Sequence, residues 1–130
     1  MLPLPGEGWG SNHAPVVVVA RQAAAANDNA LPPPDPREMG VEGADSDWLL
    51  RRQVAHPFGP YREPMAFDGE RRAAMPRCFI DCNQPAYSMI DGSRQRVRSQ
   101  PGWRIGELPT GHCPMVSAPG LLVEQLLARV

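Results

Sequence analysis

Hydrophobic and polar positions change period several times in the second half of the chain. The apolar run Cys78 to Cys82 has the length and residue types of a strand that is buried on both faces. Ala86 to Ser99 shows helical spacing, and we expect its arginines, including Arg94, to face mostly outward. Trp103 to Leu108 predicts a second strand, and Pro119 to Val130 predicts an amphipathic helix. The order strand, helix, strand, helix predicts a βαβα unit with two parallel strands.

The first half of the chain has no sustained periodicity. Residues 1 to 43 combine prolines and glycines with a valine run, Val16 to Val19, and we expect an irregular segment. The valine run has two interpretations, an edge strand or a segment that would aggregate if it were exposed. Asp45 begins a capping pattern for a short helix that ends near Gln53, and residues 56 to 64 indicate a proline-rich covering loop with aromatic anchors. The predicted segments are 1–43, irregular and rich in Pro, Gly and Ala; 44–74, a helix and loop; and 75–130, the βαβα unit.

Composition and charge exclude several classes of partner. The chain of 130 residues has 13 basic and 14 acidic residues, a net charge of -1, and every basic residue is an arginine. Because this balance creates no basic field for a phosphate backbone, we expect no nucleic-acid partner. The longest apolar run is far shorter than the ~20 residues of a membrane span. A signal peptide requires positive charge before its apolar run, and no positive charge precedes this one. We therefore expect a cytoplasmic protein with no membrane partner.

Cysteine number and spacing argue against a disulfide framework and a metal site. Three cysteines, an odd number, predict free thiols. A zinc site would recruit Cys78, Cys82, His112 and Cys113, but the first two would lie roughly 13 Å apart along a strand that rises 3.3 Å per residue. The chain also lacks the Cys-x-x-Cys spacing of structural zinc sites and the glycine-rich loops that hold nucleotides. We expect no metal and no cofactor.

His112 is the candidate for chemistry. It follows the second predicted strand, and ligands of open α/β sheets bind at the carboxyl ends of strands. An imidazole in this place, with Gly111 permitting a sharp turn, stands where a catalytic base belongs. The alternative is a loop histidine that bonds only to backbone carbonyls, and spacing leaves both interpretations open. His13 and His56 lie in proline-rich loops without a supporting pattern.

A family resemblance begins at Trp103. The run Trp-Arg-Ile-Gly-Glu-Leu-Pro-Thr-Gly-His-Cys-Pro-Met-Val-Ser-Ala-Pro resembles the carboxyl end of the α/β-hydrolase superfamily. In that superfamily a last strand leads into Thr-Gly-His-Asp-x-Met-x-x-x-Pro and a closing helix. The branch of hydroxynitrile lyases and methylesterases is the most similar one. Met75 to Cys82 resembles its penultimate strand and residues 56 to 65 resemble the end of its cap, so that 44–74 would be cap-like.

This resemblance implies a partial α/β-hydrolase fold and a serine hydrolase that acts on carboxylic esters. His112 would take the proton from a serine nucleophile and return it to the leaving alcohol. Three departures from the family are visible: there is no Gly-x-Ser-x-Gly elbow, Cys113 replaces a frequent Asp, and Asn83-Gln84-Pro85 occupies the place of the usual acid. Asp81 is the nearest carboxylate, but it falls inside the predicted strand. Parallel pairing would bring the 83–85 loop beside His112.

Two hypotheses for the function follow. In the first, the chain is a truncated carboxyl-terminal fragment of an esterase, and its action on a small-molecule ester requires an amino-terminal half that carries the serine. In the second, the chain is a non-catalytic remnant or interaction module with no chemistry of its own. Coding sequence for a serine elbow directly upstream would separate them. Under both hypotheses we expect the isolated chain to be inactive as an esterase.

Overall fold

The computed structural model describes residues 3–26 and 29–129, which form a mixed α/β structure. The chain divides into two compact units, and each unit combines two separate stretches of sequence. The first unit contains Met1–Pro33 and Val54–Met75, and the second contains Pro34–Gln53 and Pro76–Val130. The helix predicted near Asp45 therefore belongs to the same unit as the βαβα segment. The assignment of residues 44–74 to a cap stays a prediction.

The strands and helices of the described residues are short. None of these helices combines the length and apolar character that crossing a membrane requires. The strands are β1 (Ala30–Leu31), β2 (His56–Pro57), β3 (Arg77–Cys82) and β4 (Trp103–Leu108). The α-helices are α1 (Pro15–Ala24), α2 (Gly43–Arg52), α3 (Gly59–Arg62), α4 (Gly69–Ala74), α5 (Asp91–Ser99), α6 (Pro114–Ser117) and α7 (Pro119–Leu127). Short 3-10 helices lie at Trp9–Asn12, Pro36–Met39 and Ser88–Ile90.

A parallel strand pair forms the centre of the second unit. β3 and β4 pair in parallel, with Arg77 opposite Trp103 and Cys82 opposite Leu108. This confirms the predicted parallel pair, and the strand bounds agree with the prediction to within one residue. Prolines and glycines flank each apolar run and interrupt regular structure there, which explains why the pattern located these strands well.

The crossover between the strands is less helical than predicted. Only residues 91 to 99 form the α-helix α5, and a 3-10 turn precedes it. Val97 is buried in the unit, with 1% of its surface exposed. The expectation that the arginines face mostly outward is wrong for Arg94, which is only 9% exposed. Its guanidinium turns inward because it neutralises Asp81, a carboxylate buried at the end of β3.

The last predicted helix is present as α7, and a short helix that the pattern did not predict, α6, precedes it. α6 forms a single turn at Pro114, and α7 then begins at Pro119 and ends at Leu127; Val130 lies outside the described residues. α7 contacts β4, and a Cβ atom on Gly106 would overlap the guanidinium of Arg129, which follows α7. The absence of a side chain on this strand residue therefore leaves room for the side-chain ends of Arg129 and Gln125 beside β4.

The first unit contains a helix where the sequence indicated an irregular segment. The valine run belongs to α1, so the edge-strand interpretation is wrong for this structure. Pro15 occupies the first turn, where its fixed φ favours a helix, and an alanine-rich stretch follows. Phe58 and Leu31 are buried beside Ala25, and Tyr61 packs against this cluster. The predicted aromatic anchors therefore do contribute to the core of this unit.

Candidate active site

The loops that follow β3 and β4 run side by side. The Asn83 N–H donates to the Leu108 carbonyl at 3.2 Å, and the Gln84 N–H donates to the Thr110 carbonyl at 3.0 Å. Backbone pairing thus continues past the strands toward His112. Pro76 precedes β3 at the opposite end of the pair. The expectation that the 83–85 loop neighbours the segment of His112 is therefore confirmed.

A third loop closes this edge of the sheet. The His112 N–H donates to the Met39 carbonyl at 2.7 Å. A Cβ atom on Gly111 would lie 2.5 Å from the Met39 carbonyl oxygen and 2.6 Å from that of Gly40. Gly111 was expected to permit a sharp turn, but its φ is not in the left-handed region. Its role is instead to let two backbone segments approach each other closely.

The sequence pattern did not identify this third loop as part of the site. Asp35 caps a short 3-10 helix by accepting from the Arg37 N–H, and Pro36 occupies its first position. Gly40 ends the turn with φ 74°. A proline at the start and a glycine just beyond the end are a recognised signature of a short helical turn. That signature could have located the turn, but only the fold brings it to His112.

The His112 side chain is half-buried against Tyr87. The ring centroids lie 4.9 Å apart, with an angle of 31° between the planes. Burial, and secondarily the positive charge of Arg94, lower the pKa of the imidazole below its usual 6.5. Within the described part of the chain, the ring makes no hydrogen bond to a carboxylate. A neutral imidazole at pH 7 is the form that can accept a proton.

Asp81 faces the helix and not the candidate base. Arg94 donates to its Oδ1 at 2.7 Å and Arg98 donates to its Oδ2 at 2.8 Å. Burial by itself would raise the pKa of Asp81, but the two arginines outweigh it and hold that pKa below its usual value of 3.8. Both carboxylate oxygens are thus engaged in an ion-pair network. Asp81 therefore serves the structure of this unit and does not orient His112.

Arg94 organises the loop that carries Tyr87. Besides the carboxylate of Asp81, its guanidinium donates to the Cys82 carbonyl at 3.0 Å and to the Tyr87 carbonyl at 2.7 Å. It also pairs with Asp91 at 2.7 Å. One side chain therefore joins the end of β3 to the start of α5. A carboxylate inside an apolar strand was the signal in the sequence that a cation must be buried beside it.

The three cysteines are free thiols, as the sequence predicted. Cys78 is exposed, Cys82 is buried and Cys113 is half-buried. Burial, followed by the effect of Cys82, raises the pKa of the Cys113 thiol. The side chain after His112 is therefore an uncharged thiol at neutral pH.

In the portion of the chain that is described, no group of three or more His, Cys, Asp and Glu side chains is arranged to hold a metal ion.

The other two histidines lie in the first unit and bond to backbone carbonyls. The His13 ring contacts the Trp9 carbonyl through Nδ1 at 2.9 Å, and the His56 ring contacts the Pro57 carbonyl through Nδ1 at 2.8 Å. Because a carbonyl only accepts, Nδ1 carries the hydrogen in both rings. These contacts are typical of structural loop histidines.

Comparison with known proteins identifies a relative that is named as an esterase. The carbendazim hydrolyzing esterase of Nocardioides sp. (strain SG-4G) is 32% identical over 108 residues, which correspond to 81% of this chain and 45% of that protein. The chain therefore spans less than half the length of the curated relative that it matches. No protein-family model matches the chain, and no solved structure matches it either. The similarity indicates an esterase-type relationship.

Proposed function

We propose that this chain provides the catalytic base, His112, of a serine esterase of the α/β-hydrolase type. The observation that carries the proposal is the position of His112, in the loop that follows β4 and beside the loop that follows β3. Ligands of α/β proteins bind at this edge of the sheet. The esterase relative supports the reaction class, and the resemblance of the residues around His112 to the superfamily tail supports the assignment of the base.

The proposed reaction divides between this chain and a serine on another stretch of polypeptide. The serine hydroxyl oxygen attacks the ester carbonyl carbon while the imidazole of His112 accepts the hydroxyl proton. His112 then returns that proton to the oxygen of the leaving alcohol, and water releases the acyl group in the same way. A nucleophile elbow must be supplied in addition, because none of the serines of this sequence lies in a Gly-x-Ser-x-Gly motif.

The proposed base also requires a carboxylate from outside the described residues. Arg94 disfavours the imidazolium that forms during the reaction, and Asp81 is held by two arginines. A carboxylate beside the ring would stabilise that cation. We therefore assign both the serine and the orienting acid to the other stretch of polypeptide. A small-molecule ester is the proposed substrate class, in keeping with the esterase relative.

Reconstitution tests this function. The full chain is co-expressed with the part of the Nocardioides esterase that lies outside the matched region, and hydrolysis of 4-nitrophenyl acetate is measured. We expect no turnover by the chain alone and measurable turnover by the complex. His112→Ala should remove at least ~99.9% of the turnover, since loss of a triad member leaves only the residual catalysis of the remaining site.

A matched control separates catalysis from general damage. His56→Ala changes an exposed histidine of the first unit and should leave the turnover of the complex unchanged. Turnover by the chain alone, or turnover of the complex that survives His112→Ala, contradicts the proposal.

A second candidate function is a non-catalytic interaction module. The engagement of Asp81 by Arg94 and Arg98, which leaves His112 without a carboxylate partner in the described residues, favours it. A stable complex with the rest of the relative that shows no hydrolysis would support this alternative.

A further inference from the structure

The first unit contains an open pocket that the proposed esterase reaction does not use. Its volume is about 780 Å³, which lies within the range of small-molecule sites. Aromatic rings, glycine backbone and one arginine line it, and all of its lining residues belong to this unit. We propose that this pocket binds a planar aromatic carboxylate.

The aromatic wall of the pocket is held in place by contacts within the unit. The Trp9 indole stacks on His13 with centroids 4.2 Å apart and meets Tyr61 edge-on at 5.6 Å. Tyr61 stacks on Phe58 at 5.8 Å, and Phe58 is buried. Because these rings support one another, Trp9 and Tyr61 present ordered aromatic surface to the cavity. Ring surface of this kind favours a flat apolar ligand.

Glycine backbone forms the opposing part of the lining. Gly6 and Gly8 line the pocket, and a Cβ atom on Gly6 would meet nothing within 4 Å. The segment is fixed by hydrogen bonds, because the Gly6 N–H donates to the Met65 carbonyl at 2.9 Å and the Met65 N–H donates to the Glu7 carbonyl at 2.9 Å. The space beside Gly6 is thus open but bounded by an ordered segment, as a bound ring requires.

Arg62 supplies the charge that selects an anion. Its guanidinium lies over the Phe58 ring, 5.1 Å from the centroid, and lines the pocket. It forms no ion pair with a carboxylate in the described residues. The Ser11 hydroxyl accepts from the Gly8 N–H at 3.2 Å, so its own hydrogen can be donated to a ligand. One cationic fork beside aromatic walls matches a single planar carboxylate.

Binding of two probes to the full chain tests this assignment. 2-Naphthoate carries the carboxylate, and 2-naphthamide keeps the ring system but is neutral. We expect saturable binding of naphthoate by isothermal titration calorimetry. Arg62→Gln should weaken naphthoate binding about tenfold, equivalent to ~1.4 kcal/mol, and leave naphthamide binding unchanged. Trp9→Ala should weaken the binding of both probes.

The second unit offers a matched pair of control positions. The Arg52 guanidinium lies over the Trp48 ring at 5.2 Å, in the same type of contact as Arg62 over Phe58. Arg52→Gln and Trp48→Ala should therefore leave both dissociation constants unchanged. Absence of saturable naphthoate binding, or an equal loss of naphthoate binding in Arg52→Gln and Arg62→Gln, overturns the proposal.

A measurement on the unsubstituted chain covers the case in which Trp9→Ala does not fold. Nuclear Overhauser effects between naphthoate protons and the Trp9 indole are expected. Effects to Trp48 or Trp103 in place of Trp9 would put the ligand outside the pocket and overturn the assignment. This proposal is independent of the esterase function, because it involves neither His112 nor ester hydrolysis.

Discussion

Arg94 and Asp81 form a buried ion pair in which the guanidinium Nε donates to the carboxylate Oδ1 at 2.7 Å. Their side chains are only 11% and 3% exposed. The same guanidinium donates to the Tyr87 carbonyl, and the Tyr87 ring lies against His112. The ion pair thus stabilises both the packing of α5 on β3 and the loop beside the candidate base.

Arg94→Gln should destabilise the protein much more than Arg98→Gln. The first change leaves the Asp81 carboxylate buried without its main partner, and we expect a loss of about 3 kcal/mol in the free energy of unfolding. The Arg98 side chain is 51% exposed, so its removal should cost at most about 1 kcal/mol. Urea denaturation of the two variants measures the difference. Equal losses would mean that burial does not determine the strength of this network.

The ion-pair network also predicts loss of stability in acid. The folded-state pKa of Asp81 lies below its usual value of 3.8, so the unfolded chain takes up a proton first as the pH falls. The stabilisation is complete above that usual value and disappears as the pH drops through the folded-state pKa. Urea midpoints measured between pH 6 and pH 2.5 should therefore decrease as the pH drops from 3.8 through the folded-state pKa of Asp81. In Asp81→Asn this part of the decline should be absent, and an unchanged decline would assign it to other carboxylates.

Local patterns in the sequence predicted the elements of the second unit but not its polar centre. The apolar runs of β3 and β4 lie between prolines and glycines, so their bounds were visible. Arg94 was placed outside because arginine is rarely buried unless it is paired, and the pairing with Asp81 exists only after the helix packs on the strand. The approach of Gly40 to Gly111 joins residues distant in sequence and has no local signature.

The valine run shows the opposite limitation of sequence patterns. β-Branched residues favour strands, and an edge strand was one of the two interpretations of Val16 to Val19. In the structure Val16 and Val19 are 74% and 63% exposed on α1, so burial does not select the conformation of this run. Pro15 in the first turn and the helix-forming residues that follow outweigh the weak preference of the valines.

Gly111→Ala should disrupt the junction beneath His112. A methyl group would collide with the backbone oxygens of Met39 and Gly40, which side-chain motion cannot relieve. We expect a loss of about 2 kcal/mol in the free energy of unfolding, measured by urea denaturation. Gly120→Ala is the matched control, because a Cβ atom there meets nothing within 4 Å and alanine favours the helix α7. A similar loss in both variants would show that the close approach is not what requires Gly111.

The His112 imidazole should titrate below its usual pKa of 6.5, because burial and then the charge of Arg94 disfavour its protonated form. The unfolded chain therefore binds this proton more readily, so His112 lowers the stability of the fold as the pH falls through 6.5. Titration of the Cε1–H resonance by NMR, assigned by its loss in His112→Gln, measures the pKa. The same variant should remove the corresponding slope from urea midpoints measured between pH 5 and pH 7. A pKa at or above 6.5 would contradict this prediction, because it would indicate that a carboxylate already reaches the ring. The proposed esterase would then need only a serine from the other stretch of polypeptide.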